Sequence, residues 1–293
     1  MKKVVVVGNG PAGISSAIYT ARANIDTTVI GSGYGSLETA NVENYYGFDE
    51  AISGKELIER GIRQAKRIGA SVIDSEVLEI SFSHNDDNGK PIYSVKTTSG
   101  EFQANAVTIA VGQKRKKSPI KNLAELEGHG VSYCSICDGF FYKGKDVCVI
   151  GSGRYALNEV ESLLPIVKSV TLLTNGVDTT ADFPKSVDIV RTQIASLNSD
   201  VATGALKSIT FVDGISVDFA GAFVAEGVAD TIALAKKLGL LTEKNKIVVS
   251  DRKETNLLGI YAAGDCIGGI LQVAKAVSDG AIAGISITQY LKD

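Results

Sequence analysis

The chain is poor in the residues that would place it in several common classes. Histidine is nearly absent, with only His84 and His129 in 293 residues. Each stands alone in polar surroundings, so both read as surface or turn residues rather than as ligands of a metal centre. Long apolar runs are missing too: no stretch approaches the ~18 residues that cross a bilayer, which excludes a membrane-spanning helix. The opening Met1-Lys2-Lys3 precedes only four valines, too short an apolar run for a signal peptide, and Gly8 then starts a turn. The segment reads as a first strand, and a soluble, cytoplasmic location is the expectation. An excess of one charge is lacking as well. Thirty Lys plus Arg against 33 Asp plus Glu give a net charge of −3 without a charged tail, which argues against non-specific nucleic-acid binding. Four cysteines are too few and too unevenly placed for a disulfide framework in a chain this long. Cys148 lies inside an apolar run and Cys266 follows Gly264-Asp265, so both are expected as buried small residues.

What is present is a repeated glycine-rich turn. Gly8-Asn9-Gly10-Pro11-Ala12-Gly13 follows the strand-like Val4 to Val7 and opens an apolar helix, Ile14 to Ala23, before a second strand, Thr27 to Ile30. Gly8, Gly10 and Gly13 permit a tight turn and close approach of backbone to a pyrophosphate at the helix N-terminus, while Pro11 and Ala12 keep the path narrow. Gly151-Ser152-Gly153-Arg154-Tyr155-Ala156 repeats the context after Val147 to Ile150, followed by a helix to Leu164 and a strand from Ser169 to Leu173. The expected fold class is α/β with two Rossmann-like dinucleotide-binding domains, a size that suits ~150 residues per domain. Val72 to Phe82 and Ile92 to Val111 read as a small antiparallel meander ending at Ala110-Val111-Gly112. The polar, basic Gln113 to Ser118 before Pro119 reads as a linker. The chain is expected to return to the first domain near Asp218, through Ala222-Phe223-Val224, Gly259 to Asp265 and a helix from Val273 to Leu291. This gives a discontinuous domain of 1–115 and 218–293, interrupted by 116–217.

Between the two turns lies Cys134-Ser135-Ile136-Cys137-Asp138-Gly139. Two residues between cysteines allow a disulfide within one helical turn, and a helix N-terminus favours the thiolate that exchanges it. The other reading, half of a structural zinc site, lacks a second ligand pair. A redox dithiol set in a nucleotide-binding scaffold points to movement of electrons onto or off a disulfide.

Through Gly8 to Gly13, Val42-Glu43-Asn44, Cys134 to Gly139 and Gly264-Asp265, the chain resembles the low-molecular-weight thioredoxin reductases over nearly its full length. The resemblance implies a discontinuous FAD domain, an inserted smaller domain carrying the dithiol and an NADPH-like site, and a homodimer. It implies that Asp265 holds the FAD ribityl chain or its phosphate surroundings, and that Asn44 and Gln272 face the flavin. It also sets Ser32, Leu37, Val77, Gly112 and Val273 along the cofactor. Cys137 is implied as the flavin-side thiol, Cys134 as the thiol that attacks the disulfide of thioredoxin, and Asp138 as the group that manages protons. The strand end Ile30-Gly31-Ser32 lacks the ribose-binding acid of many dinucleotide folds, as the resembled reductases do.

The pattern breaks at the second turn. Where the resembled enzymes carry a histidine-arginine-arginine cluster for the 2'-phosphate, this chain reads Thr174-Asn175-Gly176, and no arginine follows until Arg191. The acid that an NAD site wants at that strand end is absent too. Arg154 and Tyr155 stand at positions usually small or short, where their bulk is expected to fill pyrophosphate space. The site reads as vestigial, which makes the chain more similar to the ferredoxin-dependent flavin thioredoxin reductases, a pyridine-nucleotide-independent branch. Ferredoxin is then the expected electron donor, since a flavin accepts electrons singly and releases them in pairs. The run Lys114-Arg115-Lys116-Lys117 offers a cationic patch for an acidic partner. Two alternatives stand beside this reading: an NADPH-driven reductase with unconventional phosphate contacts, and a flavin-binding redox sensor whose dithiol alters a protein contact without turnover.

Overall fold

The computed structural model describes residues 2–33, 35–38, 40–112, 118–133, 135–226 and 231–292. The chain divides into two compact units, residues 1–114 with 234–293, and residues 115–233.

The first unit is built on a five-stranded sheet in the order Ile260–Ala262, Ala106–Ile109, Lys3–Val7, Asp26–Ile30, Ser71–Ile73, parallel throughout. Its central strand explains the valine run. Val5 and Val7 enter a core shared with Ile80, Tyr93 and Val95, while Val4 and Val6 enter another shared with Ala17, Ala283 and Ile287. A strand buried on both faces needs apolar side chains at every position. One face is covered by the helices Pro11–Arg22 and Val273–Tyr290, the other by an antiparallel meander, Val77–Asn85, Pro91–Thr97 and Gly100–Ala104. From Lys3–Val7 the chain winds outward on one side and then returns to Ala106–Ile109 on the other. The carboxyl end of the central strand, where Gly8 to Gly13 sits, is therefore the switch point at which open α/β sheets bind ligands.

Two sequence expectations are corrected here. Val72 to Phe82 is two strands, because the polar Asp74-Ser75-Glu76 lets Ser71–Ile73 pair with the parallel sheet and Val77–Asn85 start the meander. Ala106–Ile109 likewise leaves the meander for the parallel sheet, beside Lys3–Val7.

The second unit repeats the plan with a parallel sheet ordered Val131–Ser132, Gly221–Val224, Asp146–Ile150, Ser169–Leu173, Asp188–Val190. A small antiparallel sheet, Ile194–Ser199, Leu206–Phe211 and Ser216–Asp218, shares its core through Cys148, Ile150, Leu173, Leu197 and Ile209. The expected return to the first domain at 218 is corrected: Gly221–Val224 pairs with Asp146–Ile150 inside the second unit, which runs to residue 233. An apolar run suited to a buried parallel strand carries no mark of which sheet it will join. Among the described residues no helix is long and apolar enough to cross a membrane.

Candidate active site

The first glycine turn is held from below and open above. The Gly8 amide donates to the Ile30 carbonyl at 2.8 Å, and a Cβ on Gly13 would fall on the Gly8 carbonyl oxygen, so the turn folds back on itself only with glycine there. Gly10 differs: a Cβ on it would meet nothing within 4 Å. It is the extended N-cap of the helix Pro11–Arg22, makes no side-chain cap, and precedes a first turn without an acid. The helix amides and the positive end of its dipole are therefore left for an anionic ligand. Pro11 supplies a preset first helical residue. Ala12 is buried, and a Cβ on Gly264 would lie 2.8 Å from its Cβ, which presses the Gly264-Asp265 turn against the fingerprint helix.

The structure brings Ser32, Gly112 and the Asp265 turn to this glycine turn and places the other expected cofactor residues elsewhere in the same unit. Asn9 donates to the Gly33 carbonyl at 3.1 Å, tying down the loop that bears the exposed Ser32. Leu37, in a short helical turn, sets its carbonyl against Gly54. Gly112 follows Ala110 and Val111, whose backbone runs against Gly8. Val77 is buried in the core, so its side chain is committed to packing and only its main chain is free to face a ligand. Asn44 donates to the Gln272 side-chain oxygen at 2.8 Å across 228 residues of sequence, joining two residues expected on one cofactor face. Gln272 is the N-cap of the helix that Val273 begins and makes no side-chain cap.

Asp265 lies in the short turn Gly264–Ile267. Burial pushes its carboxyl above the ordinary range; Lys275 draws it down and Asp279 pushes it up again. Sequence reasoning missed the network behind it. The buried Asp279 pairs with Lys275 at 2.7 Å and Lys253 at 3.1 Å and accepts from the Gly264 amide at 3.3 Å. Lys275 also donates to the Gly264 carbonyl at 3.0 Å and to that of Gly268, so it clamps both ends of the Asp265 turn. Its only sequence signal is the i,i+4 spacing of Lys275 and Asp279.

In the second unit, Cys134 and the side chain of Cys137 lie outside the described residues, as does the run Lys114 to Lys117. Ser135–Asp138 forms a single helical turn. The Ser132 hydroxyl donates to the Asp138 carboxylate at 2.7 Å, the Ser135 amide to Glu159 at 2.8 Å, and the Tyr155 hydroxyl to the Tyr133 carbonyl at 3.1 Å. Tyr142 packs edge-on to Phe223 with ring centroids 5.4 Å apart. Its two predecessors point outward: Phe140 is 70% exposed and Phe141 75%. This exposed pair, missed in the sequence, was legible only as two adjacent aromatics after Gly139. Cys148 and Cys266 are buried as expected. Burial raises the Cys148 thiol above its ordinary range and pushes that of Cys266 up to about 12.

The second glycine turn has the Thr180 segment beside it, with Ser152 and Gly153 part-exposed. The Thr180 amide donates to the Ser152 carbonyl at 2.9 Å, and the Thr180 hydroxyl oxygen stands 3.3 Å from where a Cβ on Gly153 would be. A Cβ on Gly151 would fall on the Ala225 carbonyl, so that glycine serves packing with or without a ligand. At the end of the second strand, Asn175 accepts from the Ile194 amide at 2.8 Å and donates to Glu226 at 3.3 Å, which sets a carboxylate where a 2'-phosphate would need positive charge. The expectation for Tyr155 is corrected: its ring is buried and its hydroxyl turned to Tyr133, and the contact beside the turn comes from Thr180.

A profile of the pyridine nucleotide-disulphide oxidoreductase family matches residues 2–280. Thioredoxin reductase of Bacillus subtilis strain 168 is 33% identical over 308 positions, covering 99% of this chain and 95% of that protein. The chain belongs to the thioredoxin reductase family. The crystal structure of the atypical thioredoxin reductase from Desulfovibrio vulgaris Hildenborough matches with a TM-score of 0.85 at 38% identity, covering 100% of this chain and 98% of that one. A ferredoxin-flavin thioredoxin reductase from Clostridium acetobutylicum matches at 0.68 and 27%, covering 100% and 99%.

Thioredoxin reductases of this family are FAD flavoproteins, and the first unit fits that group: an uncapped helix N-terminus, open space over Gly10 and the joined Asn44 and Gln272. The Asp265 carboxyl yields a pH-dependent prediction. Because its value is raised in the fold, it favours folding at low pH, and that contribution is lost as pH rises through the raised value. Asp265→Asn is expected to leave urea stability of the FAD-free protein unchanged near pH 3.5, below the ordinary carboxylate value of about 3.9, and to increase it at neutral pH. A stability gain that persists at low pH would refute the assignment.

Proposed function

We propose that this chain is an FAD enzyme, acting as a homodimer, that reduces the disulfide of thioredoxin with electrons from ferredoxin instead of a nicotinamide. The observation that carries the choice of donor is the strand end beside the second glycine turn, where Thr174-Asn175-Gly176 supplies no cation for a 2'-phosphate and Asn175 holds Glu226 instead. The similarity to an atypical and to a ferredoxin-flavin thioredoxin reductase supports it. Gly8, Gly10, Pro11, Ala12 and Gly13 would cradle the FAD pyrophosphate. Ser32, Leu37, Val77 and Gly112 would line its path, with Asp265, Asn44, Gln272 and Val273 at the flavin end. Bound FAD supplies the electron pair that opens the Cys134–Cys137 disulfide.

The remaining chemistry belongs to the chain. The Cys134 thiolate attacks the disulfide of oxidised thioredoxin; a bond forms between the two sulfurs, the thioredoxin S–S bond breaks, and the departing thiolate takes a proton. The Cys137 thiolate then attacks Cys134 Sγ, closing the intrachain disulfide and releasing reduced thioredoxin. Asp138, held by Ser132, is placed in the dithiol turn to pass protons. Phe140 and Phe141 give thioredoxin an apolar surface next to the dithiol.

Anaerobic titration tests the reading. Reduced ferredoxin is expected to bleach the flavin absorbance and sustain thioredoxin reduction, while NADPH leaves the flavin oxidised. Rapid, stoichiometric bleaching by NADPH and none by ferredoxin would overturn it. One observation favours that second reading: the Gly176 amide donates to the Arg191 carbonyl at 2.9 Å, bringing an arginine beside the expected phosphate position. Bleaching without sustained thioredoxin reduction would instead leave the sensor reading.

A further inference from the structure

We infer that Tyr155 and Glu159, on the helix that follows the second glycine turn, are positioning residues for the attacking thiol Cys134. The inference rests on the dithiol reading above and gives the second fingerprint helix a task that needs no nucleotide.

The two side chains lie one turn apart on the helix Arg154–Leu163, on one face, and both are buried, Tyr155 being 3% exposed and Glu159 1%. Their hydrogen bonds bracket Cys134 along the chain. Tyr155 donates to the carbonyl of residue 133 at 3.1 Å, and Glu159 accepts from the amide of residue 135 at 2.8 Å. A third contact comes from the same helix: a Cβ on Gly139 would lie 3.0 Å from Leu163, so the end of the dithiol turn rests on the helix as well. A helix serving only a pyrophosphate has no use for a buried tyrosine in its first turn or for a buried carboxylate in its second. Both residue types are explained by the peptide groups they hold.

The arrangement fixes geometry and adds charge. Holding the carbonyl before the thiol and the amide after it narrows the directions from which Cys134 reaches a partner disulfide. A carboxylate one residue away, shielded from water, opposes a thiolate at Cys134. Tyr133, Tyr142, Tyr155 and Asp138 are further ionisable side chains at this turn among the described residues. Disfavouring the thiolate disfavours the reduced form and makes the dithiol a stronger reductant, as its role toward thioredoxin requires.

The test uses FAD-loaded wild type, Glu159→Gln and Tyr155→Phe. Each is equilibrated at pH 7 with mixtures of reduced and oxidised dithiothreitol, acid-quenched, and scored by mass spectrometry for the Cys134–Cys137 disulfide. Glutamine keeps an acceptor oxygen for the Ser135 amide and removes the charge. Its half-reduction point is expected at a roughly tenfold lower ratio of reduced to oxidised dithiothreitol, about 30 mV less reducing. Tyr155→Phe is expected to leave that point in place and slow single-turnover reduction of oxidised thioredoxin about three- to tenfold. A wild type with no reversible two-electron thiol couple would overturn the dithiol reading itself. A wild-type couple matched in midpoint and single-turnover rate by both variants would overturn the positioning role alone. If Glu159→Gln fails to fold, an unchanged rate in Tyr155→Phe would still overturn it.

Discussion

Replacing Cys134 with serine is expected to cut thioredoxin reduction at least about a thousandfold, which is ~4 kcal/mol of transition-state stabilisation, with FAD content at the wild-type level. A serine hydroxyl is scarcely ionised at neutral pH and forms no mixed disulfide, so the exchange step loses the thiol proposed to attack thioredoxin. The residues proposed to hold FAD belong to the first unit and Cys134 to the second, which is why flavin content should be spared. With a reducing donor supplied under anaerobic conditions, the variant's flavin should stay bleached when oxidised thioredoxin is added, while that of the wild type recovers its absorbance. Turnover within tenfold of the wild type would remove Cys134 from the reaction.

Gly280→Ala should do its damage to the fold. The helix Val273–Tyr290 lies so close to Pro11–Arg22 that a Cβ on Gly280 would fall on the Ala12 carbonyl and stand 2.9 Å from the Ser15 Cβ. Overpacking a core usually costs 1–3 kcal/mol. Here the obstacle is main chain in the first turn of the fingerprint helix, so a loss of about 3 kcal/mol or more is expected in denaturant unfolding, together with loss of FAD. Gly10→Ala is the matched opposite. With nothing within 4 Å of its Cβ, alanine should cost the FAD-free protein no more than about 1 kcal/mol as an altered N-cap, yet weaken FAD at least tenfold. If Gly10→Ala unfolds the first unit as Gly280→Ala does, the space above the turn is not a ligand site.

These two glycines also show what sequence reading reaches. Gly10 was legible because its neighbours form a local signature: four valines that feed two cores alternately, a turn, and an apolar helix. Gly280 and Gly284, four apart on the last helix, carry no such signature, since their meaning depends on Ala12 and Ser16 of a helix more than 250 residues earlier. Asn44 and Gln272 were each expected at the flavin, but their hydrogen bond to one another belongs to the tertiary fold. The return point near 218 was misplaced because Ala222 to Val224 has the composition of a buried parallel strand in either unit. The contact of Thr180 with the second turn was missed for a different reason: Thr180 acts through its main-chain amide, and any residue type supplies one. Tyr155 was noticed as too large for its place, and the direction of its hydroxyl decided what the size is for.

The depth at which Cys148 and Cys266 sit makes the protein its own reporter of integrity. Cys148 is screened on every side, and Cys266 spends its proton on the carbonyls of Ile109 and Ala263, so neither presents a sulfur to an alkylating reagent while its unit is intact. Labelling of native protein therefore spares both. A modified Cys148 or Cys266 would announce that one parallel sheet has come open, and peptide mapping would tell which.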